Sequence, residues 1–174
     1  MDDIADKLGC SKKTLYVFFE NRKDLVLKVI SNDMKKHELD ISNVIAEKLH
    51  PIEEILSLNV IAINKLKTCH PSFQYDLKKY YPQSWNIFDK KNRQLTYKVS
   101  IQNLKKGIKE GCYRKEINPE IISKIFSEKI DVIFNSLAFE AINVSFSDVY
   151  KELINHHVLG IVNEEGRKYY LNFQ

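Results

Sequence analysis

The chain has 174 residues, 44% of them hydrophobic, and its 27 basic and 23 acidic side chains leave a formal charge of +4. That is enough for one compact unit or a small head on a larger body, and too slight a charge to diagnose nucleic-acid binding by itself. Cys10, Cys69 and Cys112 are odd in number and widely spaced, which excludes a disulfide framework and a metal-spaced cluster and fits a reducing cytosol.

No apolar run approaches the roughly 20 residues needed to span a bilayer. The acidic N-terminus lacks the basic stretch that precedes the apolar core of a signal peptide, so a cytoplasmic protein is expected. The first predicted helix opens with Asp2 and Asp3, where carboxylates favour the positive end of the helix dipole, and places Ile4, Ala5 and Leu8 at helical spacing. Gly9 suits the left-handed residue that ends a helix, and Ser11 is a good N-cap for a second. On that second helix Leu15, Phe18 and Phe19 share one side, at i, i+3 and i+4. Lys12, Lys13 and Tyr16 point roughly the other way, with Thr14 at the rim. Two lysines and a phenol on the outward face of so short a helix suit a DNA major groove. Asn21 then caps a third helix, with Asp24 as a partial capping box. Arg22 and Lys23 stand at its start, where cations and backbone N–H groups can hold a phosphate. From Lys7 to Lys23 there are five basic residues and one acid, a local positive patch on a near-balanced chain.

The stretch DDIADKLGCSKKTLYVFFENRKDL resembles the TetR family of bacterial transcriptional repressors, with Gly9, Ser11, Thr14, Leu15, Tyr16, Phe19, Lys23 and Leu25 at the positions the family pattern uses. The resemblance implies that Lys12, Lys13, Thr14 and Tyr16 meet bases or backbone and that Lys23 clamps a phosphate. In the family another helix precedes this pair and covers its apolar side. Here the chain begins at Met1, inside the motif, so Ile4, Leu8, Leu15 and Phe19 are expected to lack much of their cover.

Beyond the head, glycine and proline are scarce and act as punctuation. The third helix should run from Arg22 to about Leu49 and connect head to body; a rigid helix of this kind converts a shift in the body into a swing of the head. Pro51 opens the next, ending near Cys69, and a short segment spans Ser72 to Tyr80. A long helix follows from about Ser84 to Glu110, ended by Gly111. The stretch LKKGIKEGCYRKEINPEII carries a second family resemblance through Gly107, Gly111, Arg114, Asn118 and Pro119, and Asn118 caps on its own merits. From Pro119 to about Val144 the helix is apolar on more than one side: Ile122, Phe126, Ile130, Ile133 and Leu137 form one stripe, while Ile121, Ile125, Val132 and Phe139 sit off it. Such a surface needs cover from two directions, and a second copy of the chain is the expected second cover. Ser145 with Asp148 reads as a capping box for a helix over Ser147–Leu159, on which Val149, Leu153 and His157 form one row. The two helices make an antiparallel hairpin able to dimerise as a four-helix bundle, with Ile125, Val132, Phe139, Val149, Leu153 and His157 as interface candidates. Asn163 caps a last short helix in GIVNEEGRKYY.

Catalytic chemistry is not legible. His156 and His157 diverge on a helix and cannot chelate one ion together, Cys69-His70 reads as an ordinary buried thiol beside a surface imidazole, and no phosphate-cradling glycine loop or metal cluster appears; no cofactor is expected. The aromatic group in the middle is more informative. Tyr75, Tyr80, Tyr81, Trp85, Phe88 and Tyr97 crowd one segment, as core or as the lining of a cavity for a small apolar or amphipathic ligand. The pocket candidates are Tyr75, Trp85, Phe88 and Tyr97, with Phe126 and Phe134 opposite.

The expected fold is all-α. A truncated helix-turn-helix head with its connecting helix occupies residues 1–48, and an antiparallel helical ligand-binding and dimerisation body occupies 49–174. The expected function is a homodimeric, ligand-responsive regulator of a double-stranded DNA operator, a repressor released by a small molecule. The alternative is a small-molecule-binding helical dimer without DNA binding, should the missing first helix matter.

Overall fold

The computed structural model describes residues 1–68, 72–135 and 144–173, with the backbone alone for residues 66, 68, 131–135 and 146. Among these the chain forms nine helices: α1 (Asp2–Lys7), α2 (Lys12–Phe18), α3 (Arg22–Ala46), α4 (Pro51–Thr68), α5 (Phe73–Tyr80), α6 (Pro82–Lys109), α7 (Pro119–Asn135), α8 (Phe146–Ile161) and α9 (Glu164–Leu171).

Their ends follow from local chemistry. Gly9 is left-handed at φ +64°, and the N–H groups of Gly9 and Cys10 donate back to the carbonyls of Asp6 and Ala5, closing α1 in a Schellman turn. Gly111, at φ +80°, ends α6 in the same way. The expected N-caps form: Ser11 accepts from the Thr14 N–H, Asn118 from Ile121, Ser145 from Asp148 and Asn163 from Gly166. The connecting helix α3 stops at Ala46, short of the expected Leu49. Lys48 adopts a left-handed φ of 53°, and His50 precedes a proline, which disfavours helical backbone before it.

Two clusters hold the molecule together. The larger unites Ile52 and Ile55 of α4, Leu104 of α6, Phe126 and Ile130 of α7, Tyr150, Ile154 and Val158 of α8 and Tyr170 of α9, with Tyr113 wholly buried among them. The smaller joins Ile30 and Met34 of α3 to Leu77 of α5, with Trp85 and Phe88 of α6 packed against it. The double-sided pattern of α7 holds in its described half: Phe126 and Ile130 are buried while Ile121 and Ile125 face outward.

Where α3 gives way to α4, a buried polar network fixes the corner. Asn103 donates both amide hydrogens, to the Pro51 carbonyl and to Glu54 Oε1, each at 2.9 Å. The Tyr113 hydroxyl lies 2.8 Å from Asn103 Oδ1 and 3.2 Å from the Pro51 carbonyl. Lys106 reaches Glu54 Oε2 at 2.7 Å and the Leu49 carbonyl. Gly107 lies under the Tyr113 ring, where a Cβ would fall 2.2 Å from a ring carbon. The His50 and Tyr169 rings stack at 4.0 Å, and the Tyr169 hydroxyl donates to Glu53 at 2.6 Å, so α9 braces the same corner.

Candidate nucleic-acid interface

The sequence Leu15-x-x-x-Phe19 anchors α2, and Ser11 and Gly9 fix where it begins. Leu15 is buried, as is Ala5 of α1, and Phe19 is half-buried with the Lys28 ammonium 5.5 Å from its ring centre. Lys12, Lys13, Thr14 and Tyr16 are all exposed, as are Arg22 and Lys23 at the start of α3. Ile4 and Leu8 of α1 are exposed as well. Phe18 differs from expectation. The spacing places it with the inward residues, yet it is 66% exposed. At about 100° per residue it lies about 60° from Leu15 on the side away from Phe19, at the edge of the buried arc.

The exposed cations are not equivalent. Lys12 bonds Asp2 at 3.0 Å, an exposed pair that holds the Asp2 carboxyl below its ordinary range and raises the Lys12 ammonium. Lys28 also ties α2 to α3. Its ammonium donates to the Phe18 carbonyl at the end of α2 (3.1 Å) and to Asp24 Oδ2 (2.8 Å). That carboxylate also accepts the Glu20 N–H at 3.1 Å, and Lys28 first and this amide after it hold Asp24 below the usual carboxylate range. The signal was available: Asp24 and Lys28 are an i, i+4 pair. Asn21 caps α3 by accepting from the N–H groups of Lys23 and Asp24. Those two amides are therefore taken, and a phosphate at this end would meet the Arg22 and Lys23 side chains. The patch can place cations and hydroxyls against a phosphate backbone on either side of an inserted α2.

The body candidates scatter. Trp85 and Phe88 lie together, ring centres 5.7 Å apart, with Phe73 edge-on to Phe88 at 6.3 Å. They pack on the cluster that Ile30 and Met34 of α3 form with Leu77 of α5. Tyr75 is exposed on α5. Tyr97 lines an open groove of about 540 Å³ between α6 and α7, which Ile121 and the interface candidate Ile125 share. Phe126 is in the main core and stacks on His157 at 4.2 Å. Burial drives the His157 imidazole down to about 4, with Lys129 and His156 adding to the effect. Leu153 packs on the main core and Val149 is half-buried. The side chains of Val132 and Phe134, and Phe139, Cys69 and His70 entirely, lie outside the described residues. Among the described residues no His, Cys, Asp and Glu group is arranged to hold a metal ion, and no helix is long and apolar enough to cross a membrane.

No protein-family model matches the chain. It is 24% identical over 138 residues to an uncharacterized HTH-type transcriptional regulator, YvaF, of Bacillus subtilis, an alignment covering 78% of this chain and 70% of that protein. Its fold is similar to that of the ketosteroid transcriptional regulator KstR2 of Mycobacterium tuberculosis, with a TM-score of 0.62 at 16% identity over 93% of this chain and 84% of that one. Both are named as regulators, not as enzymes. The all-helical architecture is thus similar to that of KstR2, and the chain is similar in sequence to a protein named as an HTH-type transcriptional regulator.

Proposed function

We propose that the chain is a cytoplasmic, homodimeric transcriptional regulator that docks α2 in the major groove of an operator and is released as a repressor when a small apolar or amphipathic molecule enters its body. The observation that carries the reading is the construction of α2: capped at Ser11, anchored through buried Leu15, and presenting Lys13, Thr14 and Tyr16 to solvent. In this reading residues 1–48 form the reading head and 49–174 the sensing and dimerising body. A dimer would set two α2 helices about 34–36 Å apart on a near-palindromic site.

Two features of the body support the rest. Ile121 and Ile125 stand exposed on α7, at the groove it shares with α6, a surface a second copy would cover. Trp85 and Phe88 pack on the cluster that holds Ile30 and Met34 of the connecting helix. A ligand that moved these rings would press on Ile30 and Met34 and change the tilt of α3, and only a ligand with different affinity for the two tilts would act.

The test is selection of duplexes from a random-sequence library, then titration of the enriched duplex at fixed salt. Tyr16→Ala and Lys23→Ala should each weaken binding about tenfold or more, with Lys23→Ala lowering the salt slope by about one. Failure to enrich any sequence, or unchanged affinity in both variants, overturns the reading. Ile125→Glu should yield monomers in a solution-size measurement; persistent dimers would move the interface elsewhere.

A further inference from the structure

Which side chain of α2 faces outermost is fixed by what the helix buries. Leu15 is buried and Phe19 half-buried. Val17 is two residues from each, so it stands about 160° round the axis from both. It is 74% exposed, more open than any other large apolar side chain among the described residues. Lys13 and Thr14, at i−4 and i−3, flank it on the same face. Tyr16 and Lys12 lie about 100° or more away, and the Lys12 ammonium is already held by Asp2. The crest of the helix is therefore a branched hydrocarbon between a cation and a hydroxyl, with Tyr16 and Lys12 lower on its sides.

A duplex has one apolar group on its major-groove base edges, the C5-methyl of thymine. The flanking charges suit phosphates and base acceptors; the crest suits only that methyl. We infer that Val17 is a specificity-determining residue that reads a thymine methyl, while Lys13 and Thr14 address the neighbouring base edges and Lys12 and Tyr16 lie toward the backbone. The inference rests on the DNA reading above and assigns its base preference.

The experiment takes the duplex enriched by the full chain from a random library and remakes it with deoxyuridine for thymidine, one position at a time, which deletes only the methyl. The wild-type chain should lose about fourfold in affinity at one or more thymines of each half-site, the effect of one buried methyl. Val17→Ala should erase that penalty at those positions and leave the others unchanged. Val17→Thr, which keeps a methyl at the same place, should retain it. Equal penalties in wild type and Val17→Ala, or no penalty at any thymine, overturn the assignment while leaving DNA binding intact. Enrichment of no sequence at all overturns the DNA reading and this assignment together.

Discussion

The head and the body of this chain are held by different kinds of bond. Within α1 and α2 only Ala5 and Leu15 are buried, and the polar ties are short in sequence: Lys12 to Asp2 and Lys28 to the Phe18 carbonyl each span ten residues. The body rests on a large apolar cluster and on polar contacts that include pairs 49 to 116 positions apart. A surface set by local bonds can be altered at one position with little cost elsewhere. A core set by distant ones cannot. The difference suits the division proposed above, between an outward face that reads sequence and an interior that carries stability.

The contrast is sharpest at Asn103. Asn103→Ala would strip the buried Glu54 carboxylate, the Pro51 carbonyl and the Tyr113 hydroxyl of a partner at once. A loss of about 3 kcal/mol is expected, roughly 6–12 °C in Tm. Tyr16→Ala, on the exposed face, should move Tm by less than about 2 °C. Equal effects would erase the distinction between the two regions.

Next in size is an acid effect confined to the body. The His157 imidazole titrates near 4 in the folded chain because it is buried against Phe126, against an ordinary value of about 6.5. Below about pH 6.5 the unfolded chain takes up a proton that the folded chain refuses until about pH 4, so stability is fully present above 6.5 and falls as the pH drops. About 2 kcal/mol should be lost over that window, less than the full shift because the ring keeps some solvent contact. Denaturant melts of His157→Phe at pH 7 and pH 4.5 should show most of that loss abolished; an unchanged pH dependence would assign it to other groups.

Smaller still is the head's own cap. Ser11→Ala removes the acceptor for the Thr14 N–H and should cost about 1 kcal/mol locally. Amide exchange of α2 should accelerate about fivefold while the slowest amides of α8 stay as they were. If α8 also accelerates, head and body unfold as one unit. Smallest is Lys28→Met, which loses an exposed pair with Asp24 and a bond to the Phe18 carbonyl. Its effect on Tm should be within error, about 0.5 kcal/mol or less, and its mark should be weaker selected-duplex binding through a misplaced α2.

The same division governs what could be read from the sequence. Ser11, Asn21, Asn118, Ser145 and Asn163 all form the caps expected of them, because a cap reaches only two or three residues along the chain. Gly9 and Gly111 end their helices for the same local reason. The boundary at Ala46 was missed because Pro51 was visible and the left-handed Lys48 was not. Phe18 was misplaced because spacing gives an arc, while burial depends on what else reaches that arc. The network of Glu54, Asn103, Lys106 and Tyr113 was invisible: its members are spread over 60 positions and come together only when α4 crosses α6. Trp85 and Phe88 are legible as aromatic, but nothing in their spacing places them on the cluster that α3 shares with α5.

The brace at the corner has a consequence for synthesis. Tyr169 and Glu53 are 116 residues apart, and Tyr169 also stacks on His50 beside the end of α3. While the chain is being made, α1 and α2 and their ties through Lys28 are complete long before α9 leaves the ribosome. The exposed face of α2 can therefore form early, whereas the brace at the corner between α3 and α4 can close only once translation has passed Tyr169.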